Sequence, residues 1–238
     1  MKKILPLLAA AVMLIGCAHT TNGYRISDGK VSWKNSVIEF GTDMDSRVQD
    51  GFSTAFQAVV TGQDGKSIAM PADTAALGYG ASCPIGTTGF YKPEKGVILA
   101  EPLYQTEDKL ILHLQYDKWS ILDAPVKLDK QITMLRDCPI MTVIDYYSGK
   151  FELINIAAGM TKVPGGVVTR IENGYSVKYP NGMTSVIVMP ELQEQTDSDI
   201  YGSVLLKKAV SSDEPLKYYV GISDKGLDYL LDELAKII

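Results

Sequence analysis

Short runs in which apolar and polar residues alternate, with turn signals between them, make up most of this chain from residue 24 onward. Successive side chains of a β-strand point to opposite faces of its sheet, so a period of two marks a strand with one buried face. In the clearest run, 110–117, the apolar positions Leu110, Leu112, Leu114 and Tyr116 alternate with Ile111, His113, Gln115 and Asp117. The pattern predicts an all-β protein of many short strands.

Further strands are predicted at 30–40 (two strands and a tight turn), 54–61, 126–135, 140–147, 151–158, 167–171, 175–178, 184–189, 202–209 and 217–222. The segment 71–96 is rich in Gly, Ala and Thr, and its lack of a period predicts a long loop with short strand pieces. Only the C-terminal segment from residue 223 has apolar residues at helical spacing. Many strands without intervening helices favour a β-sandwich with one short C-terminal helix over an α/β enzyme.

The first residues have the pattern of an export signal. Lys2 and Lys3 precede an apolar run at 4–15, and small residues lead into Cys17. The ending Leu-Ile-Gly-Cys is similar to the lipobox of bacterial lipoproteins, in which cleavage precedes a cysteine that then carries lipid. We therefore expect a signal peptide at 1–16, a lipidated tether at 17–23 and one β-sandwich domain at 24–238. An ordinary secretory signal followed by a free cysteine is the alternative.

The lipobox resemblance also implies a location, because no Asp follows Cys17. The protein is expected in the cell envelope, held at the outer membrane by its N-terminal lipid, with the side of the membrane left open. Export would carry Cys83 and Cys138 into an oxidising compartment. Two interpretations of this pair stay open, a disulfide bond or two buried thiols.

Composition excludes several classes of function. The 23 Lys and Arg residues against 28 Asp and Glu residues give a net charge of −5, which disfavours a nucleic-acid partner. Two His and three Cys residues are too few for a zinc or iron-sulfur cluster, so no metal site and no cofactor are predicted. The chain also lacks the G-x-S-x-G, Walker and G-x-G-x-x-G signatures of common enzyme classes.

Candidate chemistry centres on the polar face of the strand at 110–117. A neutral imidazole at His113 beside the Asp117 carboxylate can act as a general acid or base toward a sugar hydroxyl. Gln115 shares this face, and Lys127 and Asp129 would join it as ligand-binding groups if the next strand pairs there. The alternative is a histidine that is simply exposed on a polar sheet face, and the sequence leaves open whether the protein is an enzyme.

Aromatic residues offer a second route to ligand binding. Trp119 can present a flat face for stacking on a sugar ring. Adjacent tyrosines could do the same, and the candidates are Tyr116, Tyr146, Tyr147, Tyr218 and Tyr219. The alternative is that Trp119, like most tryptophans, packs in the core, and that each tyrosine pair places one ring inside and one outside.

Several short motifs occur in a recognisable order: LGYGA at 77–81, LQYDKW at 114–119, KQIT at 130–133, IAAGMTK at 156–162, SVIVMP at 185–190 and PLKYYVG at 215–221. Together they resemble an uncharacterised family of exported proteins from polysaccharide-degrading bacteria, a domain of unknown function. The resemblance implies a supersandwich fold like that of galactose mutarotases and some polysaccharide lyases. This chain is shorter than the family and lacks most of its N-terminal region.

The same resemblance implies a function. It predicts an outer-membrane lipoprotein that binds or processes an oligosaccharide within a polysaccharide-utilisation system. A structural or scaffolding lipoprotein without a small-molecule site is the alternative.

Overall fold

The computed structural model describes residues 22–44, 55–62, 65–70 and 77–238. The predicted signal peptide and Cys17 lie outside the described residues. In chain order the strands are β1 (Gly23–Ser27), β2 (Lys30–Lys34), β3 (Ile38–Asp43), β4 (Gln57–Thr61), β5 (Ser67–Ala69), β6 (Tyr79–Gly86), β7 (Gly89–Phe90), β8 (Val97–Gln105), β9 (Lys109–Ile121), β10 (Ala124–Leu135), β11 (Ile140–Gly149), β12 (Ile154–Thr161), β13 (Val167–Ile171), β14 (Gly174–Lys178), β15 (Thr184–Val188), β16 (Glu194–Ser198), β17 (Ser203–Val210) and β18 (Pro215–Ser223), followed by helix α1 (Leu227–Ala235).

The strands form three antiparallel sheets. β1 to β5 make an N-terminal sheet in chain order, and a larger sheet of eight strands has the order β13-β14-β15-β18-β11-β10-β9-β8. The third sheet has the order β16-β17-β12-β6-β7, and residues of all three share one continuous core. The predicted all-β sandwich with a short C-terminal helix is confirmed.

The third sheet differs from the sequence-based prediction in one of its strands. The segment 71–96, predicted to be mainly loop, includes the eight-residue strand β6, which pairs with both β12 and β7. Residues 79–84 are buried on both faces of β6. Exposed polar residues therefore do not alternate with buried apolar ones, and the period of two that marks a half-buried strand is absent from this segment. Gly80 has a φ of +93°, and a Cβ there would lie 2.3 Å from the Val220 side chain, so β6 and β18 pack at close range.

Strands β1, β5, β8 and β16 were also missed. β8 is the edge strand of the eight-stranded sheet, and its pairing with β9 shifts register twice, once beside Pro102. Proline is typical of an edge strand, and the exposed apolar residues of β8 obscure its alternation. β16 is likewise an edge strand and is partly exposed along its length.

Helix α1 packs on the side of the eight-stranded sheet that faces away from the third sheet. Leu230 and Leu234 are buried there in a small cluster with Cys138, Val186 and Tyr219. We call this side of the sheet the outer face. Cys83 lies instead in the main core, and the structure has both cysteines as free, buried thiols rather than a disulfide.

Candidate functional site on the outer face

Strand pairing brings the predicted polar residues together on the outer face. β9 and β10 are neighbours, with His113 opposite Gln131 and Gln115 opposite Asp129. β8 then places Glu101 opposite His113 on the other side. The inward-pointing residues of β9, from Leu110 to Tyr116, are buried, as the alternation predicted.

His113 lies between two carboxylates. Its Nδ1 atom is 3.3 Å from Glu101 Oε1, and its Nε2 atom is 3.1 Å from Asp129 Oδ1. The side chain is 20% exposed. Because both ring nitrogens already face a carboxylate, neither is open to a substrate in this arrangement. The imidazole therefore bridges two acidic side chains. General acid or base chemistry by His113 would first require one of these contacts to break.

Asp129 is the centre of this cluster. Gln115 Nε2 donates to Asp129 Oδ1 at 2.9 Å, and Lys127 Nζ lies 2.8 Å from Asp129 Oδ2. Partial burial raises the pKa of Asp129, but the bonds from Lys127, Gln115 and His113 outweigh burial and leave the pKa below its usual value. Asp129 therefore stays ionised at neutral pH and organises three neighbouring side chains.

Two predicted site residues are placed differently. Asp117 and Lys118 both lie opposite Lys127, because β9 has a bulge between Tyr116 and Trp119. The Asp117 carboxylate accepts a bond from the backbone N–H of Lys118, and Asp117 lies four positions along the strand from His113, about 13 Å away. The structure thus does not bring the predicted catalytic pair together.

Trp119 is the other predicted site residue that the structure places differently. Its side chain is buried, with the residue 7% exposed, and its indole N–H donates to the carbonyl of Tyr91 at 2.9 Å. The ring packs edge-on to Tyr147 at 6.4 Å between centroids. This ring is not available for stacking on a sugar, so the core-packing interpretation of Trp119 is the one that fits the structure.

The row of outer-face residues continues across the sheet to a groove. Ile144 lies opposite Gln131, and Lys217 lies opposite Ile144. The groove has a volume of about 500 Å³, and its lining includes Ile144, Tyr146, Pro190, Glu191, Lys217 and Tyr219. Lys217 Nζ lies 5.0 Å from the centre of the Tyr219 ring. Sequence reasoning named both tyrosines as candidates but missed Lys217, which directly precedes two tyrosines of one strand.

A second polar cluster lies in the core, and sequence reasoning missed it. Lys130 and Asp145 are opposite each other on β10 and β11, and both side chains are fully buried. Lys130 Nζ is 2.5 Å from Asp145 Oδ1 and 2.9 Å from the hydroxyl of Tyr218. Ser82 of β6 donates to the other carboxylate oxygen, so the cluster joins the two packed sheets. Its one signal was a lysine within the inward, apolar positions of 126–134.

Within the described ranges, no group of three or more His, Cys, Asp or Glu residues is placed to hold a metal ion. No helix in the part of the chain that the structure describes has the length and apolar character needed to cross a membrane.

Known structures share this fold at low sequence identity. YidC from Thermotoga maritima matches with a TM-score of 0.54 and 11% identity over 90% of this chain and 56% of that chain. The heparan sulfate lyase HepC from Pedobacter heparinus matches with a TM-score of 0.52 and 8% identity over 84% of this chain and 36% of that one. No protein-family model and no curated protein matches, so the resemblance to the exported family stays a prediction. At these identities the neighbours show the fold alone.

Proposed function

We propose that this chain is a lipid-anchored envelope protein whose outer sheet face binds carbohydrate. The observation that carries the proposal is the row of side chains from Glu101 through His113, Gln131 and Ile144 to Lys217, which crosses five strands. At about 4.8 Å between strands, this row is about 19 Å long, enough for several sugar rings. It ends at the open groove beside Tyr146.

The chemistry of this face suits a sugar. Hydroxyl groups both donate and accept hydrogen bonds, and the outer face offers carboxylates, amides and amines on neighbouring strands. Tyr146 lines the groove and is partly exposed, so its ring can pack on the apolar side of a sugar. A fold neighbour, HepC, is named as a heparan sulfate lyase, which supports a carbohydrate ligand by analogy of fold.

Membrane attachment rests on the sequence. Two lysines, an apolar run and the residues before Cys17 supply the pattern of a lipoprotein signal. A location at the outer membrane, within a polysaccharide-utilisation system, is part of the same proposal.

A scaffolding lipoprotein without a ligand is the second candidate, and one observation favours it. The polar groups around Asp129 already satisfy each other, with His113, Gln115 and Lys127 all bound to one carboxylate. Such a cluster serves to hold β9 and β10 in register without any ligand. Ligand binding separates the two candidates, because a scaffold has no reason to respond to a free oligosaccharide.

The test uses the full chain, purified in detergent, on an array of bacterial and plant oligosaccharides, followed by titration of the best ligand. Tyr146→Ala should weaken binding about fivefold, the loss expected for one aromatic contact worth about 1 kcal/mol. Lys217→Ala should also weaken it. Tyr229→Ala is the matched control, because Tyr229 lies on helix α1 outside the groove and should leave affinity unchanged. Absence of any binding on the array would refute the proposal and favour the scaffold.

A further inference from the structure

The buried pair of Lys130 and Asp145 brings together an amine and a carboxyl group, which can condense to an amide. The two residues face each other on paired strands, neither side chain has exposed surface, and Nζ lies 2.5 Å from Oδ1. Two charges held this deep in the core carry a large desolvation penalty. Movement of one proton from Nζ to Oδ1 removes both charges and leaves a neutral amine beside a carboxylic acid. Burial favours this form, since it lowers the pKa of Lys130 even against the attraction of Asp145.

We propose that Lys130 and Asp145 become joined by an intramolecular amide bond between Nζ and Cγ, which crosslinks β10 to β11 inside the core. This is a covalent modification of the protein itself and is independent of the ligand proposed above.

Neighbouring hydroxyl groups are placed to promote the reaction. Ser82 Oγ donates to Asp145 Oδ2, and the Tyr147 hydroxyl, 2.7 Å from Ser82 Oγ, can donate to Ser82 in turn. Tyr218 Oη lies 3.0 Å from the same Oδ2 atom. Burial and the charge of Asp145 raise the pKa of both tyrosines, so their hydroxyls keep their protons. Donors aimed at Oδ2 stabilise the negative charge that develops there when an amine attacks the carbonyl carbon.

The atoms balance without an oxidant or a co-reactant. The lone pair of neutral Nζ forms the bond to Cγ, and the electron pair of the C=Oδ2 bond moves onto Oδ2. The extra proton on Nζ then passes directly to Oδ1, the carboxyl oxygen that lies 2.5 Å from Nζ. The Cγ–Oδ1 bond breaks, one water molecule leaves, and the C=Oδ2 bond re-forms. The product is a secondary amide.

The surroundings also protect the product. The rings of Phe56 and Tyr218 lie 5.3 Å and 5.5 Å from Nζ, and the site has no accessible surface. Hydrolysis of the amide would need a water molecule at a position that the folded core closes to solvent.

Peptide mapping of the denatured full chain tests the proposal. Trypsin should not cut after Lys130, and the digest should contain residues 128–136 joined to 137–150, a product recognised by its two free amino termini. Asp145→Asn should give the identical product, because the side-chain amide then releases ammonia in place of water. Lys130→Arg should give none, whereas Lys118→Arg, a change at an exposed lysine of the adjacent strand, should keep the crosslink.

Complete cleavage after Lys130 in the wild-type protein, with 131–136 recovered as a free peptide, would overturn the proposal. This result does not depend on any variant, so a failure of Lys130→Arg to fold leaves the test intact.

Discussion

Replacement of Trp119 by Ala should destabilise the protein strongly while leaving its outer face intact. The change removes a ring that is 7% exposed, its edge-on contact with Tyr147 and its bond to the Tyr91 carbonyl. Truncation of a buried tryptophan costs about 3 to 5 kcal/mol, of which about 1 kcal/mol belongs to the lost hydrogen bond. We therefore expect a loss of about 4 kcal/mol in the free energy of unfolding.

Urea denaturation followed by circular dichroism measures this loss. With a slope of about 2 kcal/mol per M, the midpoint should fall by about 2 M. Trp119→Phe is the matched variant, since it keeps a ring in the core but leaves the Tyr91 carbonyl without its donor, and it should lose about half as much. A shift below about 0.5 M for Trp119→Ala would show that the ring is not packed as described. If Trp119→Ala left stability unchanged but abolished sugar affinity, Trp119 would be a ligand-binding residue instead.

Three further predictions concern separate parts of the molecule. Gly80→Ala should lower the free energy of unfolding, measured by urea denaturation, by about 3 kcal/mol, because the new Cβ would collide with Val220 at a positive φ. Gly29→Ala is the control, with a positive φ but open space, and should lower it by about 1 kcal/mol. Equal losses would contradict the close packing of β6 and β18. Because the pKa of Asp129 is lowered in the folded protein, its charged form adds stability above the usual Asp pKa of about 3.9, and this stability is lost as pH falls through the lower folded value. Asp129→Asn should therefore flatten the acid side of the curve of stability against pH. An unaltered curve would contradict this. Cys17→Ser should release the exported protein from membranes in fractionation, and retention after a high-salt wash would argue against lipid anchoring.

Alternation of apolar and polar residues predicted strands that have one buried and one partly exposed face. The run at 110–117 became β9 with its alternation intact as far as Tyr116, and 126–135 became β10. It failed for β6, because small residues buried on both faces leave no polar positions to mark the period. It also failed for β8, where Pro102 and two register shifts interrupt the pattern.

The candidate site was predictable only in part, for a related reason. Asp129 and His113 could be placed on one face from alternation and a single assumed pairing, and that pairing is confirmed. The bulge that displaces Asp117 depends on one extra residue between paired strands, which alternation cannot show. Lys217 depends on the pairing of β11 with β18, which are distant in sequence, and the pair of Lys130 and Asp145 depends on the register of β10 against β11. Local patterns carry no information on either.

Hydrogen-deuterium exchange of the full chain, with and without the best oligosaccharide from the array, tests the carbohydrate proposal most directly. Binding at the outer face should slow exchange in the peptides that contain β9, β10, β11 and β18, and leave β13 and β16 unchanged. Protection confined to β13 and β16, or no protection with any oligosaccharide that the array retains, would contradict the assignment of the outer face as a carbohydrate site.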